Sequence, residues 1–373
     1  MQNIDNSNFE MKKIIKSPKE IKYTCDSNCG KSTADSNIDK LFFNSLENMN
    51  KHLKDNYPKF YENFELTNFL NSGGTGRVFE GHLKHAKKKQ NLAFKFKISG
   101  IGKKDKDSQE ISLLKKLHHK NITEIYAFIK MNDTSNFCVL ELGKYGDLEN
   151  FQKSLLKRKV LSETIICYFA KQILEALQYI HKCKVLHLDI KEGNILVDGS
   201  LNIKLTDFSV SCSYEAFHPQ DLVKFPYVGT SKYMSPEIID RTHMKICESC
   251  KIDIYSFGVT LFHMAFGFFP YKLDEINKSK DYDGILKKIK EENLEFPEER
   301  KVSDLFKDFL KGLLDKDYHK RFSIQKALNH PWIKGAQIII NEKENSFSHE
   351  NFLINLVTDN IPQFNDYVKT INP

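Results

Sequence analysis

The apolar pattern changes character at "LELGKYG", residues 140–146, and that change leaves the chain few architectures to choose from. Before it, from Phe64 to Ile98, the sequence reads as short strands joined by a Gly-rich turn and a basic loop. "QEISLLKKLHH" follows with helical period through Ile111, Leu114 and Leu117, and "FCVLEL" then reads as a buried strand. After the change the period is helical. Ser162 is a good N-cap, and Ile166, Phe169, Ile173, Leu177 and Ile180 line one face of a long helix. "IDIYSFGVTLFHMAF" is apolar on nearly all sides, which suits a helix at the centre of a large lobe. Strands first and helices later, without an internal repeat, predict an α+β chain. At 373 residues it is too long for one small core, so one large two-lobed unit or two domains plus tails is expected.

The flanks read differently. Residues 1–35 are polar and aperiodic, and are expected to be disordered. Across 36–60, Leu41, Phe42, Leu46, Met49 and Leu53 recur at helical spacing, which predicts an amphipathic helix ended by Pro58 and docked on its own domain. The small lobe is expected over 61–142, the large lobe over 143–336 and a mixed tail over 337–373. The start, "MQNIDNSNFE", has no basic flank before an apolar core, and no apolar run approaches a membrane span. The expected location is cytoplasmic, with nuclear access, where thiols stay reduced, and no membrane partner is expected. The net charge of +7 has local sources such as Lys87 to Lys89, which lack interleaved aromatics and read as solvated loops rather than a nucleic-acid surface. Among eight cysteines, Cys25 and Cys29 in "TCDSNC" and Cys247 and Cys250 in "ICESC" have spacings a zinc site uses. Such a site needs the two segments to meet; the plainer reading is free thiols. Cys138 and Cys167 lie in apolar stretches and read as core.

The chemistry-bearing residues come in order. In "LNSGGTGRVFEG", Gly73, Gly74 and Gly76 allow backbone N–H groups to approach phosphate oxygens with no Cβ in the way. Alone, this is also what a flexible hairpin looks like. In "LAFKFK", Lys95 sits inside an apolar strand, where its charge needs an anion, and Glu110 on the following helix is a candidate. "HLDIKEGNIL" and "KLTDFS" then bring Asp189, Lys191, Asn194 and Asp207 within a short span. Phosphoryl transfer needs a carboxylate to orient the attacking hydroxyl, a cation on the moving charge and oxygen ligands for Mg²⁺.

On these motifs the chain resembles a eukaryotic protein kinase catalytic domain from about Phe64 to Lys334. "YVGTSKYMSPEI" resembles the end of an activation segment, with Ser235, Pro236 and Glu237 where Ala-Pro-Glu is usual. Asp253 in "KIDIYSFGV" stands like the Asp that anchors the catalytic loop, and Arg321 like the partner of Glu237. The resemblance implies a bilobal fold, a small antiparallel sheet with one regulatory helix beside a larger helical lobe. It implies that Gly73, Gly76 and Val78 cover ATP, with Ala93 and Leu196 on either side of adenine. Leu140 resembles the gatekeeper, Glu141 and Leu142 would supply backbone bonds to adenine, and Asp147 could reach the ribose. Lys95, paired with Glu110, would bind the α and β phosphates. Asp189 would orient the acceptor hydroxyl, Lys191 steady the γ-phosphate, and Asn194 with Asp207 hold Mg²⁺. Lys191 with Thr230 resembles a Ser/Thr kinase, so the implied partner is a protein with a Ser/Thr acceptor.

Three positions depart from that pattern. Asn71 replaces the first Gly of the loop, where a tolerance of left-handed backbone would preserve the turn. Ser209 replaces the Gly of Asp-Phe-Gly. Leu188 stands where an Arg usually pairs with a phosphorylated activation-segment residue, and Leu cannot make that ion pair. Activity is therefore expected not to need phosphorylation at Ser211, Ser213, Tyr214, Tyr227 or Ser231. The alternative reading is a pseudokinase scaffold, disfavoured because Lys95, Glu110, Asp189, Lys191, Asn194 and Asp207 are all present.

Overall fold

The computed structural model describes residues 19–22, 45–73, 76–86, 89–98, 104–130, 135–155, 160–277 and 280–345. It divides into two compact units, Met1–His118 with Thr123–Leu142, and His119–Ile122 with Gly143–Pro373.

The first unit is built on a sheet. Its strands are β1 (Lys19–Lys22), β2 (Phe64–Gly73), β3 (Gly76–Leu83), β4 (Leu92–Ile98), β5 (Ile125–Lys130) and β6 (Ser135–Glu141), in the order β1-β5-β6-β4-β3-β2. Strands β2 to β6 pair antiparallel, and β1 adds a parallel edge, with Ile21 opposite Ile129. The pleat of β4 organises both faces, because alternate side chains of a strand point to opposite sides. Phe94 and Phe96 enter an apolar cluster with Phe79, Phe137 and Val139. Lys95 and Lys97 turn the other way and meet Glu110 of the helix Lys104–Lys116.

That apolar cluster also receives helix α1 (Leu46–Asn56), through Met49 and Leu53, which are four residues apart and fully buried. Ser45 caps its start, accepting from Asn48 N at 3.3 Å. Pro58 does more than end this helix: after the Tyr57 cap it opens a second, α2 (Pro58–Asn63), at a position where a missing N–H costs nothing. Phe60 of α2 stacks on Phe137 with ring centroids 5.0 Å apart. Leu41 and Phe42 lie outside the described residues.

The second unit is mainly helical. The long helix expected after Ser162 runs Glu163–Lys182, and Ser162 Oγ accepts from Ile165 N. The helix Lys251–Phe266 is buried on nearly every side and ends where Gly267 takes φ 77°, a left-handed cap that suits glycine. Trp332 ties the far end of the unit together. Its Nε1 donates to Glu163 Oε1 at 2.8 Å, and its ring stacks on Phe306 at 4.5 Å. Cys167 is buried nearby, its thiol donating to the Trp332 carbonyl, while Cys138 is buried in the sheet of the first unit. Short antiparallel pairs, Val185–Leu186 with Cys212–Ser213 and Ile195–Val197 with Ile203–Leu205, bracket the loop between them. No helix among the described residues is long and apolar enough to cross a membrane.

If α1 is part of the first unit's core, Leu53→Ala should destabilise by about 2–5 kcal/mol, the usual range for a buried Leu truncation. A urea-unfolding midpoint unchanged from the parent would contradict the docking.

Candidate active site

In the first unit, β2 ends at Gly73 and β3 begins at Gly76, its direct partner; Gly74 lies outside the described residues. Gly76 has φ +141°, and a Cβ there would sit 2.4 Å from the Phe96 carbonyl oxygen. Only glycine fits so close an approach of two strands. Asn71 is a strand residue paired with Val78, so the left-handed turn expected to carry it is not located there. The register sets Val78 opposite Lys95 and Ala93 opposite Leu140. Glu141 N donates to Glu124 O at 2.9 Å, and Leu142 ends the unit half-buried.

Lys95 Nζ lies 3.4 Å from Glu110 Oε1, as expected, but Glu110 also takes Lys97 on Oε2. All three side chains are buried. Lys97 is a site residue that the motif reading passed over. Its trace in the sequence is the alternation Phe94-Lys95-Phe96-Lys97, which gives both lysines one parity.

In the second unit, the loop carrying Asp189 is held from below by Asp253. This fully buried carboxylate accepts from His187 N and Leu188 N, and pairs with His181 Nε2, each at 2.9 Å. Held this way, Leu188 takes φ 66°. The carboxylate of Asp189 is then saturated on the other side. Its Oδ1 accepts from Thr230 N at 2.8 Å and Thr230 Oγ1 at 2.9 Å. Its Oδ2 accepts from Asn194 Nδ2 at 2.8 Å and lies 2.9 Å from Lys191 Nζ, which also donates to Thr230 Oγ1 at 2.6 Å. Gly229 makes this possible, because at φ +86° a Cβ would meet the Leu188 carbonyl oxygen at 2.3 Å.

The neighbouring groups follow from the same loop. Asn194 Nδ2 also donates to the Asp189 carbonyl at 2.8 Å, which turns the amide oxygen away from Asp189. Asp207 has φ 63°, and Phe208 beside it is buried edge-on against His187, with centroids 4.8 Å apart. Leu196 bridges to Asp147, whose carboxylate caps a short helix, accepting from Asn150 N at 2.8 Å and Nδ2 at 2.9 Å. Burial pushes the Asp147 carboxyl up. Glu237 and Arg321 form a buried two-pronged pair at 2.7 and 2.9 Å, as expected.

Contacts that the motifs do not specify complete the surroundings. Glu192 is buried between Tyr233 Oη at 2.7 Å and His263 Nδ1 at 2.8 Å. Ser211 donates to the His187 carbonyl at 3.1 Å. Tyr214 donates to the His181 carbonyl at 3.0 Å and touches Cys250 Sγ at 3.3 Å. Leu188 itself is buried, lining a small pocket with Pro226, Val228, Ile238 and Ile252. Apolar residues line this position, where the resemblance would place an Arg in an ion pair. No group of three His, Cys, Asp or Glu side chains among the described residues gathers as a metal cluster, and Cys25 and Cys29 lie outside them.

One carboxylate is thus aligned by Thr230, Lys191 and Asn194 on a backbone pinned by a buried Asp. Residues 64–333 match the protein kinase domain, and the chain belongs to that family. It is 31% identical over 76% of its length to "Serine/threonine-protein kinase TIO" of Arabidopsis thaliana, covering 20% of that protein. It is 28% identical over 74% of its length to "Cell cycle serine/threonine-protein kinase CDC5/MSD2" of Saccharomyces cerevisiae (37% of that protein). It is 31% identical over 80% of its length to "Calcium-dependent protein kinase 4" of Plasmodium falciparum (54% of that protein). The chain thus spans about half or less of the length of these relatives.

The anchor has a pH signature. Burial alone would lower the His181 pKa, but the Asp253 hydrogen bond reverses this and raises it to about 10 from 6.5. A raised folded-state value means that the pair's stabilisation is complete below pH 6.5 and is lost as pH rises through about 10. Burial pushes Asp253 up, yet His181 holds it below its ordinary 3.8, so its contribution is present above that value and lost on strong acidification. His181→Asn should remove the decline in melting temperature between pH 6.5 and 10 that this pair causes, read by thermal scans across that range.

Proposed function

We propose that the protein is an ATP-dependent Ser/Thr protein kinase whose activity does not depend on phosphorylation of its activation segment. The observation that carries the first part is the Asp189 carboxylate, oriented by Thr230, Asn194 and Lys191 together. In this reading Asp189 aligns the acceptor hydroxyl and takes its proton as the new P–O bond forms and the bond from the γ-phosphorus to the bridging oxygen breaks, ADP leaving. Lys191, already 2.9 Å from that carboxylate, offsets charge on the transferred group. Lys95, set by Glu110, holds the α and β phosphates. The names of the relatives support the Ser/Thr class, and Thr230 bonded to both Asp189 and Lys191 agrees with it. A cytosolic or nuclear location belongs to the same proposal.

Mg²⁺ is the metal this reading implies. Asn194 and Asp207 offer oxygen donors only, and the Asn194 amide is already turned so that its nitrogen serves Asp189. They would hold the ion, which supplies neutralisation of phosphate charge. The chain's own part is to fix those two side chains: the Asp189 carbonyl does so for Asn194, and the left-handed backbone sets the direction of Asp207.

Independence from phosphorylation rests on Leu188. Its buried side chain lies among Pro226, Val228 and Ile238, all on the activation segment or just beyond it. Such a contact needs no phosphate to order the segment. Ser211, Tyr214 and Tyr227 are not useful probes, since their hydroxyls hydrogen-bond the carbonyls of His187, His181 and Ile239. Ser213 and Ser231 remain.

Two measurements test the proposal. Asp189→Asn should lower Mg²⁺-ATP-dependent phosphorylation of a Ser/Thr peptide library by about 10²–10⁴-fold, the usual worth of a positioned general base. Equal turnover by both proteins would point to a scaffold. The double variant Ser213→Ala, Ser231→Ala should stay within about twofold of the parent, the small effect expected of half-exposed positions. A collapse would restore phosphorylation as the control.

A further inference from the structure

Strand β4 carries two buried lysines where the phosphate-binding reading uses one. Lys95 and Lys97 share a face of the strand, and both reach Glu110 on the helix Lys104–Lys116. The carboxylate is divided between them: Lys95 Nζ lies 3.4 Å from Oε1, and Lys97 Nζ donates to Oε2. A charge-assisted bond ordinarily spans about 2.7–2.9 Å, so the Lys95 contact is a loose one. The firm hold on Glu110 is that of Lys97.

The rest of the Lys97 side chain is fixed as well. A Cβ at Gly76 would stand 3.3 Å from Lys97 Cγ, so the lysine stem lies directly against the backbone of the Gly-rich turn. Glu110 is 3% exposed, so water is no substitute for a lost partner on either oxygen. A buried carboxylate oxygen without a donor is costly. With Lys97 gone, the donor left to Glu110 among the described residues is Lys95, and the carboxylate would turn both oxygens to it. An ammonium gripped by two oxygens has less to give to a phosphate.

We propose that Lys97 is a positioning residue for phosphate binding: by occupying Oε2 of Glu110 it keeps the Lys95 ammonium from being drawn wholly onto that carboxylate. The proposal rests on the kinase reading, in which Lys95 holds the α and β phosphates. Lys97 touches no phosphate itself and acts through Glu110. Its effect is therefore confined to ligands that carry the phosphates Lys95 meets. It is also confined to proteins in which residue 110 is a carboxylate, because a neutral amide has no comparable pull on Lys95.

The full-length parent, Lys97→Met, Glu110→Gln and the double variant are compared by calorimetry with Mg-ADP and with adenosine, which lacks phosphates. Lys97→Met should bind ADP about tenfold more weakly, the worth of one bond to a charged group, and bind adenosine as the parent does. In peptide phosphorylation its KM for ATP should rise by the same factor while kcat stays within about twofold. In the Glu110→Gln background the same substitution should change ADP affinity by less than about twofold. Unchanged ADP affinity, an equal loss for adenosine, or the full loss in both backgrounds overturns the inference. Should Lys97→Met fail to fold, Lys97→Gln, which is also uncharged, takes its place with the same outcomes. A parent that binds neither ligand refutes the kinase reading instead. The melting temperatures of the four proteins then decide whether Lys97 holds Glu110: a coupled shift supports it, and additive shifts overturn it.

Discussion

The Asp253 carboxylate carries three hydrogen bonds with almost no water to share them, and the loop above it depends on that. A buried carboxylate is costly unless its lone pairs are used, and here two backbone N–H groups and an imidazole use them. The N–H groups belong to consecutive residues, which bends the backbone into the left-handed conformation of Leu188. With that bend in place, the Asp189 side chain emerges toward Thr230, Lys191 and Asn194. Each later feature of the site inherits its direction from this one anchor.

The same anchor joins the loop to the activation segment. His181 bonds Asp253 through its ring and Tyr214 through its carbonyl, and Ser211 bonds the His187 carbonyl. Leu188 lines a small pocket together with Val228 and Pro226. The segment is thus tied down by neutral hydrogen bonds and side-chain packing at several points. A single charged clamp is replaced by distributed, weaker ties, each worth about 0.5–1.5 kcal/mol where it is a hydrogen bond.

Much of this was legible in the sequence, for identifiable reasons. The two regimes of periodicity announced a sheet and a helical unit, and the Ser162 helix start obeys a local rule that needs no tertiary knowledge. The ordered set of charged and amide side chains named Asp189, Lys191, Asn194 and Asp207 because no bland pattern places those types so close. What escaped notice depends on contacts far apart in the chain. Tyr214 and Cys250 are 36 residues apart, and Glu192 and His263 are 71 apart, so neither pairing leaves a local trace. Asn71 failed differently, because the strand runs on past it to Gly73 and leaves it paired with Val78. Pro58 was read as a stop, although the same fixed φ serves equally to start a helix.

Strand β4 shows how little tolerance such a design leaves. Its aromatic residues serve the α1 side and its lysines the Glu110 side, with nothing but the pleat to keep them apart. Insertion or loss of one residue inside the strand would exchange the two sets at every position beyond it. Ammonium groups would then face the Phe60 and Phe137 rings, and phenyl rings would face a buried carboxylate. The length of this segment is therefore as strict a requirement as its composition, and changes in chain length are confined to the loops on either side.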